Sequence, residues 1–286
     1  MTTPLLEGRD LKVSYPVRGF RRKPIEIVHG VNFSVAPGET LGIVGESGSG
    51  KTTIGRAILG LALVTGGTVN FDGRDISHLG GAARRALAKD IQVVFQDPYS
   101  SLNPSLTIGE TLAEPLIVQG WDKQAATKRV LELLDRVGLP KNAAARLPRE
   151  FSGGQRQRVA IARALAPEPR LIVCDEPVSA LDLSTQAKVM ELLLDIQREM
   201  GVAYIFVSHD LAVVRHISHR VGVVYKGEIV EQGPVREVTT HPENPYTQRL
   251  LLAAPIADPL LQEKRRADRA RLRQTQHNQD VQAGAA

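Results

Sequence analysis

GESGSGKTT, residues 45–53, decides the reading of this 286-residue chain. It follows TLGIV (Thr40–Val44), a run nearly all apolar, as expected of a strand covered on both faces. It opens TIGRAILGLAL (residues 53–63), which reads as helix. Strand, glycine loop and helix are the context that the motif G-x-x-x-x-G-K-S/T requires. Gly45, Gly48 and Gly50 permit tight turns and close backbone approach. Successive N–H groups, from Gly45, Glu46, Ser47 and Ser49 onward to Thr53, then form a cradle for phosphate oxygens. Lys51 is a mobile point charge for the β and γ phosphates. Thr52 offers a hydroxyl to Mg²⁺, and the helix dipole adds to the attraction. This loop points to a nucleotide without saying what is done with it.

Outward from the loop, further buried strands recur. IQVVF (Ile91–Phe95), LIVC (Leu171–Cys174) and YIFV (Tyr204–Val207) have the character of TLGIV. VNFSV (Val31–Val35) alternates apolar and polar, as a half-buried strand does. GVVYKGEIVEQG (Gly222–Gly233) reads as two strands around a Lys226-Gly227 turn. Strands alternating with helical stretches predict an α/β P-loop fold with a mainly parallel sheet. From Asp97 to about residue 165 the texture changes. A loop with two prolines leads into helical runs, so this stretch is expected to be a helical insertion in the α/β core.

LIVCDEP places Asp175 and Glu176 at the exit of a buried strand, the edge where parallel sheets bind ligands. An Asp there suits the Mg²⁺ partner of P-loop ATPases, and the following Glu suits a general base for an attacking water. FSGGQRQR (Phe151–Arg158) places a Ser and two glycines before a helical run, which makes it a second candidate anion site.

Composition bounds the rest. A hydrophobic content of 42% and a charged content of 23% are ordinary for a soluble globular chain. No stretch approaches about 18 uninterrupted apolar residues, and the first residues lack a charged-then-apolar leader pattern. The single cysteine, Cys174, excludes an internal disulfide framework and Cys-clustered metal sites, and it reads as core. A cytoplasmic location is expected. The net charge of +5 is partly local, in RGFRRK (residues 18–23) and in a polar tail carrying Lys264, Arg265, Arg266, Arg269, Arg271 and Arg273. Solvated faces explain such runs, with an anionic surface as the alternative.

In their order, GESGSGKTT, VVFQD, FSGGQ, LIVCDEP, SALD and VSHD resemble the ATP-binding subunit of ABC transporters over residues 8 to about 255. The resemblance implies a RecA-like P-loop NTPase core with an N-terminal antiparallel β subdomain and an inserted helical subdomain. It implies one ATP-binding domain over residues 1–255 and a basic tail over 256–286. Gln96 then looks like the Q-loop residue near Mg²⁺ and the γ-phosphate, and His209 like the switch histidine. Ser152, Gly153, Gly154, Gln155 and Asp182 look like the groups that face the ATP of a second subunit. Tyr15 is a candidate to stack on adenine, with Phe20 as a competitor. FSGGQ departs from the commoner LSGGQ only in its apolar first residue, and Val178 stands where Thr is frequent. Neither change removes a polar group needed for chemistry, so an active ATPase using ATP and Mg²⁺ is expected.

QDPYSSLNPSLTIGETLAEPL, DEPVSALDLSTQAKVMELL and HPENPYTQRLLLAAP (His241–Pro255) are similar to the oligopeptide, dipeptide and nickel importer branch. These stretches are expected to inform the branch more than the mechanism. The implied partners are a second ATP-binding subunit, identical or related, two transmembrane permease subunits, and indirectly an extracytoplasmic solute-binding protein. The implied place is the cytoplasmic face of the inner membrane. An exporter cassette is the alternative, as is a soluble ABC-type ATPase acting on nucleic acid or ribosomes. One cassette, one Cys and no sustained heptads argue against the soluble form, so no nucleic-acid partner is expected.

Overall fold

Every residue of the strand before the glycine loop is buried, and the rest of the fold is arranged around it. The computed structural model describes residues 3–16, 24–97 and 101–253. In chain order the first three strands are β1 (Leu6–Tyr15), β2 (Ile25–Val35) and β3 (Thr40–Val44). After the loop come α1 (Lys51–Ile58), β4 (Val64–Phe71), β5 (Arg74–Asp75), α2 (Gly81–Leu87) and β6 (Ile91–Val94). The helical stretch contributes α3 (Ile108–Val118), α4 (Lys123–Arg136), two short 3₁₀ turns and α5 (Gly153–Leu165). The remaining elements are β7 (Leu171–Asp175), α6 (Leu183–Met200), β8 (Ala203–Ser208), α7 (Leu211–Ile217), β9 (Arg220–Tyr225), β10 (Glu228–Pro234), α8 (Val235–Thr240) and α9 (Pro245–Ala253).

The strands form two sheets. The larger runs β10-β9-β3-β8-β7-β6, and all its pairings are parallel except that of β10 with β9. The smaller is antiparallel, β2-β1-β4-β5. Two-residue periodicity divides the large sheet into two faces. Leu171, Val173, Ile205 and Val207 pack with β1, β2, β4 and α1, whereas Ile172, Cys174, Tyr204 and Phe206 pack with the helices on the other side. This is the P-loop NTPase fold with an added antiparallel sheet, as expected.

Three details differ from the sequence reading. The helix after the loop ends at Ile58, not Leu63, because Gly60 takes a left-handed φ of +70°; Leu61 and Leu63 are exposed beyond it. β1 and β4 were missed. β1 contains Gly8 and Asp10 and changes register against both its neighbours, so its apolar positions do not alternate cleanly. The helical insertion also has no core of its own. Leu112, Leu116, Leu133 and Leu134 of α3 and α4 share one apolar cluster with Val94 and Ile172 of the large sheet. Its last helix, α5, packs on α3, α4, β6 and α6, so it serves the insertion and the core together.

Candidate nucleotide-binding site

Parallel strands place their carboxyl ends on one edge, and the candidate residues follow from that. β3 runs into Gly45, β6 leads to Gln96, β7 ends at Asp175 and Glu176, and β8 ends just before His209. A cavity of about 670 Å³ opens there. Its lining includes Lys51, Thr52, Gln96, Glu176, His209 and Tyr15. Four separate strand exits and the N-terminal sheet thus meet at one concavity.

The loop is built to leave donors open. α1 begins after Gly50, at a left-handed φ of +108°, with no side chain capping its first amides. Gly45 must lack a side chain, because a Cβ there would stand 2.1 Å from the Val224 carbonyl oxygen. Ser47, Gly48, Gly50 and Thr53 line the cavity, while Gly45 and Ser49 are buried beneath it. Lys51 is only 4% exposed. Its ammonium donates to the carbonyl oxygens of Gly45 (2.8 Å) and Glu46 (2.7 Å). Burial lowers its pKa, and the carboxylates of Glu176, Asp175 and Glu46 oppose that shift. Glu46 differs from the expectation: its N–H donates to the Tyr246 hydroxyl (3.0 Å) and it does not line the cavity.

Thr52 donates its hydroxyl proton to Asp175 (2.9 Å). Burial raises the Asp175 pKa, against the Thr52 bond, which lowers it. Glu176 follows with a positive φ of +48°, a conformation uncommon outside glycine. Its N–H donates to the Val207 carbonyl (3.0 Å), which fixes this turn to β8. Its carboxylate meets His209 Nδ1 at 3.0 Å. The two exits of β7 and β8 are therefore joined by a hydrogen-bonded acid–imidazole pair. Among the described residues no cluster of His, Cys, Asp and Glu suits a self-sufficient metal cage. A hydroxyl beside a carboxylate, with Gln96 on the same cavity, instead fits Mg²⁺, which keeps waters and shares phosphate oxygens.

Ser152, Gly153, Gly154, Gln155 and Asp182 do not line this cavity. Ser152 is exposed and caps α5: its oxygen accepts from the Gln155 N–H (3.3 Å), and its own N–H donates to Gln155 Oε1 (3.0 Å). Asp182 is exposed and caps α6, accepting from Ser184 and Thr185; these bonds hold its carboxyl below the usual range. The two segments touch, since a Cβ on Gly154 would stand 2.3 Å from Thr185 Cγ2. Tyr15 lines the cavity, and its hydroxyl has no partner among the described residues. Phe20 and the basic segments 18–23 and 256–286 lie outside the described residues.

Sequence reasoning missed Arg56 and Ile27, which also line the cavity. Arg56 lies four residues after Thr52 on α1, so helix spacing could have found it. Ile27 belongs to β2 and carried no motif.

The ABC transporter family model matches residues 28–179. The glutathione import ATP-binding protein GsiA of Pectobacterium atrosepticum is 52% identical over 261 residues, covering 90% of this chain and 42% of that protein. Its Salmonella typhimurium counterpart is 51% identical over 268 residues, covering 92% and 43%. The chain thus spans less than half the length of these curated relatives. Among solved structures, the ATP-binding cassette MJ0796, as a dimer in a post-hydrolysis state with ADP and Pi, aligns with a TM-score of 0.72 at 33% identity, covering 81% of this chain and 99% of that one. The cbiO1 protein of Clostridium perfringens, part of the ABC transporter complex cbiONQ, aligns at 0.74 and 28% identity, covering 84% and 92%. The chain belongs to the ABC transporter family, and its fold and phosphate loop are those of the ATP-binding cassette.

Proposed function

We propose that this chain binds and hydrolyses ATP to power import of a peptide or related small solute by a membrane transporter. The observation that carries the reading is the convergence of Lys51, Thr52, and Glu176 with His209 on one cavity, with Asp175 held behind its lining by the Thr52 hydroxyl. The import proteins among its relatives support the direction of transport, and glutathione, in their printed names, is itself a small peptide.

The loop amides and Lys51 hold the ATP phosphates, with the Lys51 ammonium moving from the Gly45 and Glu46 carbonyls onto phosphate oxygens. Thr52, Asp175 and Gln96 would hold Mg²⁺, which when bound neutralises phosphate charge. Tyr15 supplies an aromatic face for adenine. Glu176 accepts a proton from the water that attacks the γ-phosphorus, and His209 orients the carboxylate. ADP and inorganic phosphate leave.

Ser152, Gly153, Gly154, Gln155 and Asp182 act on the ATP of a second subunit. A hydroxyl has one donor and two acceptor sites, so Ser152 can cap its own helix and still donate to a phosphate. ATP then joins two subunits, and loss of its γ-phosphate releases them. The chemical energy becomes differential affinity for the closed and open pair.

Residues 1–255 serve as the cassette, with residues 97–165 as its helical insertion and 256–286 as a basic tail. Its partners are a like or related ATP-binding subunit and two permease subunits, with a solute-binding protein outside, and its place is the cytoplasmic face of the inner membrane. The cbiO1 neighbour, described as part of a transporter complex, supports this assembly. No described helix is long and apolar enough to cross a membrane.

The test is Glu176→Gln. Phosphate release should fall at least about hundredfold, the range for a lost general base, while ATP affinity holds. Turnover near the wild-type value would remove Glu176 from the mechanism.

A further inference from the structure

The PENPY segment touches the phosphate loop directly. Tyr246, at the start of α9, is 5% exposed. Its hydroxyl accepts from the Glu46 N–H at 3.0 Å. That N–H belongs to the same peptide unit as the Gly45 carbonyl, which accepts from Lys51 Nζ at 2.8 Å. The unit is planar and trans, so fixing its N–H also fixes its carbonyl. The other flank of the unit is set by β9, where the Val224 carbonyl leaves no room for a side chain on Gly45.

Tyr246 is itself held firmly. Its ring lies 4.2 Å from that of Tyr225, the last residue of β9. Its N–H donates to Asn244 Oδ1 at 2.8 Å. Glu231 of β10 accepts from the backbone N–H groups of Glu243 (2.9 Å) and Asn244 (3.2 Å), and Asn244 Nδ2 donates to the Val230 carbonyl (3.3 Å). A second clamp runs from the Gly227 N–H to the Ser49 carbonyl (2.9 Å). The β9–β10 hairpin and the segment after it therefore frame the loop from outside.

We propose that Tyr246 is a positioning residue: by holding the Gly45–Glu46 peptide it aims the Lys51 ammonium and keeps the phosphate loop shaped before nucleotide arrives. The proposal rests on the reading of Lys51 as a phosphate ligand. A loop already in its bound shape has less ordering to supply on binding. Removing the tyrosine hydroxyl leaves the Glu46 N–H without its partner and the peptide held only through its Gly45 side.

The experiment is a double-mutant cycle in the Glu176→Gln background, with ATP affinity measured by equilibrium binding on the full chain. Tyr246→Phe, which keeps the ring on Tyr225, should weaken ATP about three- to tenfold, the range for one hydrogen bond. Lys51→Ala should weaken it more. In the Lys51→Ala background Tyr246→Phe should then have no further effect. Equal losses in both backgrounds would mean that the Tyr246 hydroxyl acts independently of Lys51, and would overturn the proposal. So would unchanged affinity in Tyr246→Phe alone while Lys51→Ala binds weakly. Wild-type affinity in Lys51→Ala would overturn the reading of the lysine itself. If Tyr246→Phe fails to fold, Asn244→Ala, which loosens the tyrosine without removing it, should give the same non-additive pattern at smaller size; additivity there overturns the proposal equally.

Discussion

Two stretches of this chain look alike on paper: GESGSGKTT and FSGGQRQR, each with serine and glycines ahead of a helix. The structure separates them. The first leaves its helix uncapped behind Gly50 and lines a cavity that gathers four strand exits. The second closes a reciprocal cap on itself through Ser152 and Gln155, and lies outside that cavity with Ser152 exposed. One is a concave cradle with a lysine; the other is a capped helix end with a spare hydroxyl proton. An anion site needs more than free amides. It needs walls, and only the first loop has them within its own chain.

The difference can be attacked from several sides. The largest effect is expected from Ser152→Arg. If the second stretch serves a neighbouring subunit's ATP, turnover should fall about hundredfold, the cost of losing one donor to developing charge. ATP affinity of the isolated chain should stay within about twofold, because its own cradle is untouched. Phosphate release and nucleotide binding measured on one preparation separate these two. Loss of both together would place Ser152 in its own chain's site.

A smaller effect tests the packing behind the second stretch. Gly154→Ala puts a Cβ about 2.3 Å from Thr185 Cγ2. Overpacking of this kind costs about 1–3 kcal/mol. Thermal melting should drop by about 2–4 °C for each kcal/mol. An unchanged melting point would mean that α5 and α6 are free to part.

Behind the first stretch the expected sign is the opposite. Burial raises the Asp175 pKa, so the folded empty chain holds that proton more readily than the unfolded one. The charged form therefore costs stability above the raised folded pKa. The cost fades as pH falls toward the unfolded value of about 3.9. Asp175→Asn, which keeps an oxygen for Thr52, should melt above wild type near about pH 7.5 and converge with it near about pH 4. Its turnover should fall. A mutant less stable at neutral pH would show that Lys51 and Arg56 more than offset the burial.

The smallest expected effect is none at all. Cys174 is fully buried on the helical face of β7, and burial pushes its thiol pKa well up. It should resist thiol reagents in the native chain and react only after denaturation. Labelling under native conditions would indicate opening of the sheet beneath the acid pair.

Much of this was legible in the sequence. TLGIV and LIVC are buried on both faces, so they read as unbroken apolar runs, and the motifs at their ends land on one edge by topology alone. The N-terminal sheet was harder. β1 is interrupted by bulges, and Asp10 takes a φ of +46°. The contact of Tyr246 with Glu46 joins residues 200 positions apart and leaves no local signal. For that reason HPENPYT carries only a branch resemblance in sequence, whereas its tyrosine touches the loop. Arg56 was within reach of helix spacing; Ile27 was not.

If each complete site needs two chains, sedimentation of Glu176→Gln with and without ATP should show it. The expected result is one chain without nucleotide and two with ATP, with Ser152→Arg in the same chain abolishing the pairing. A single-chain mass at saturating ATP, with ATP bound, would contradict it.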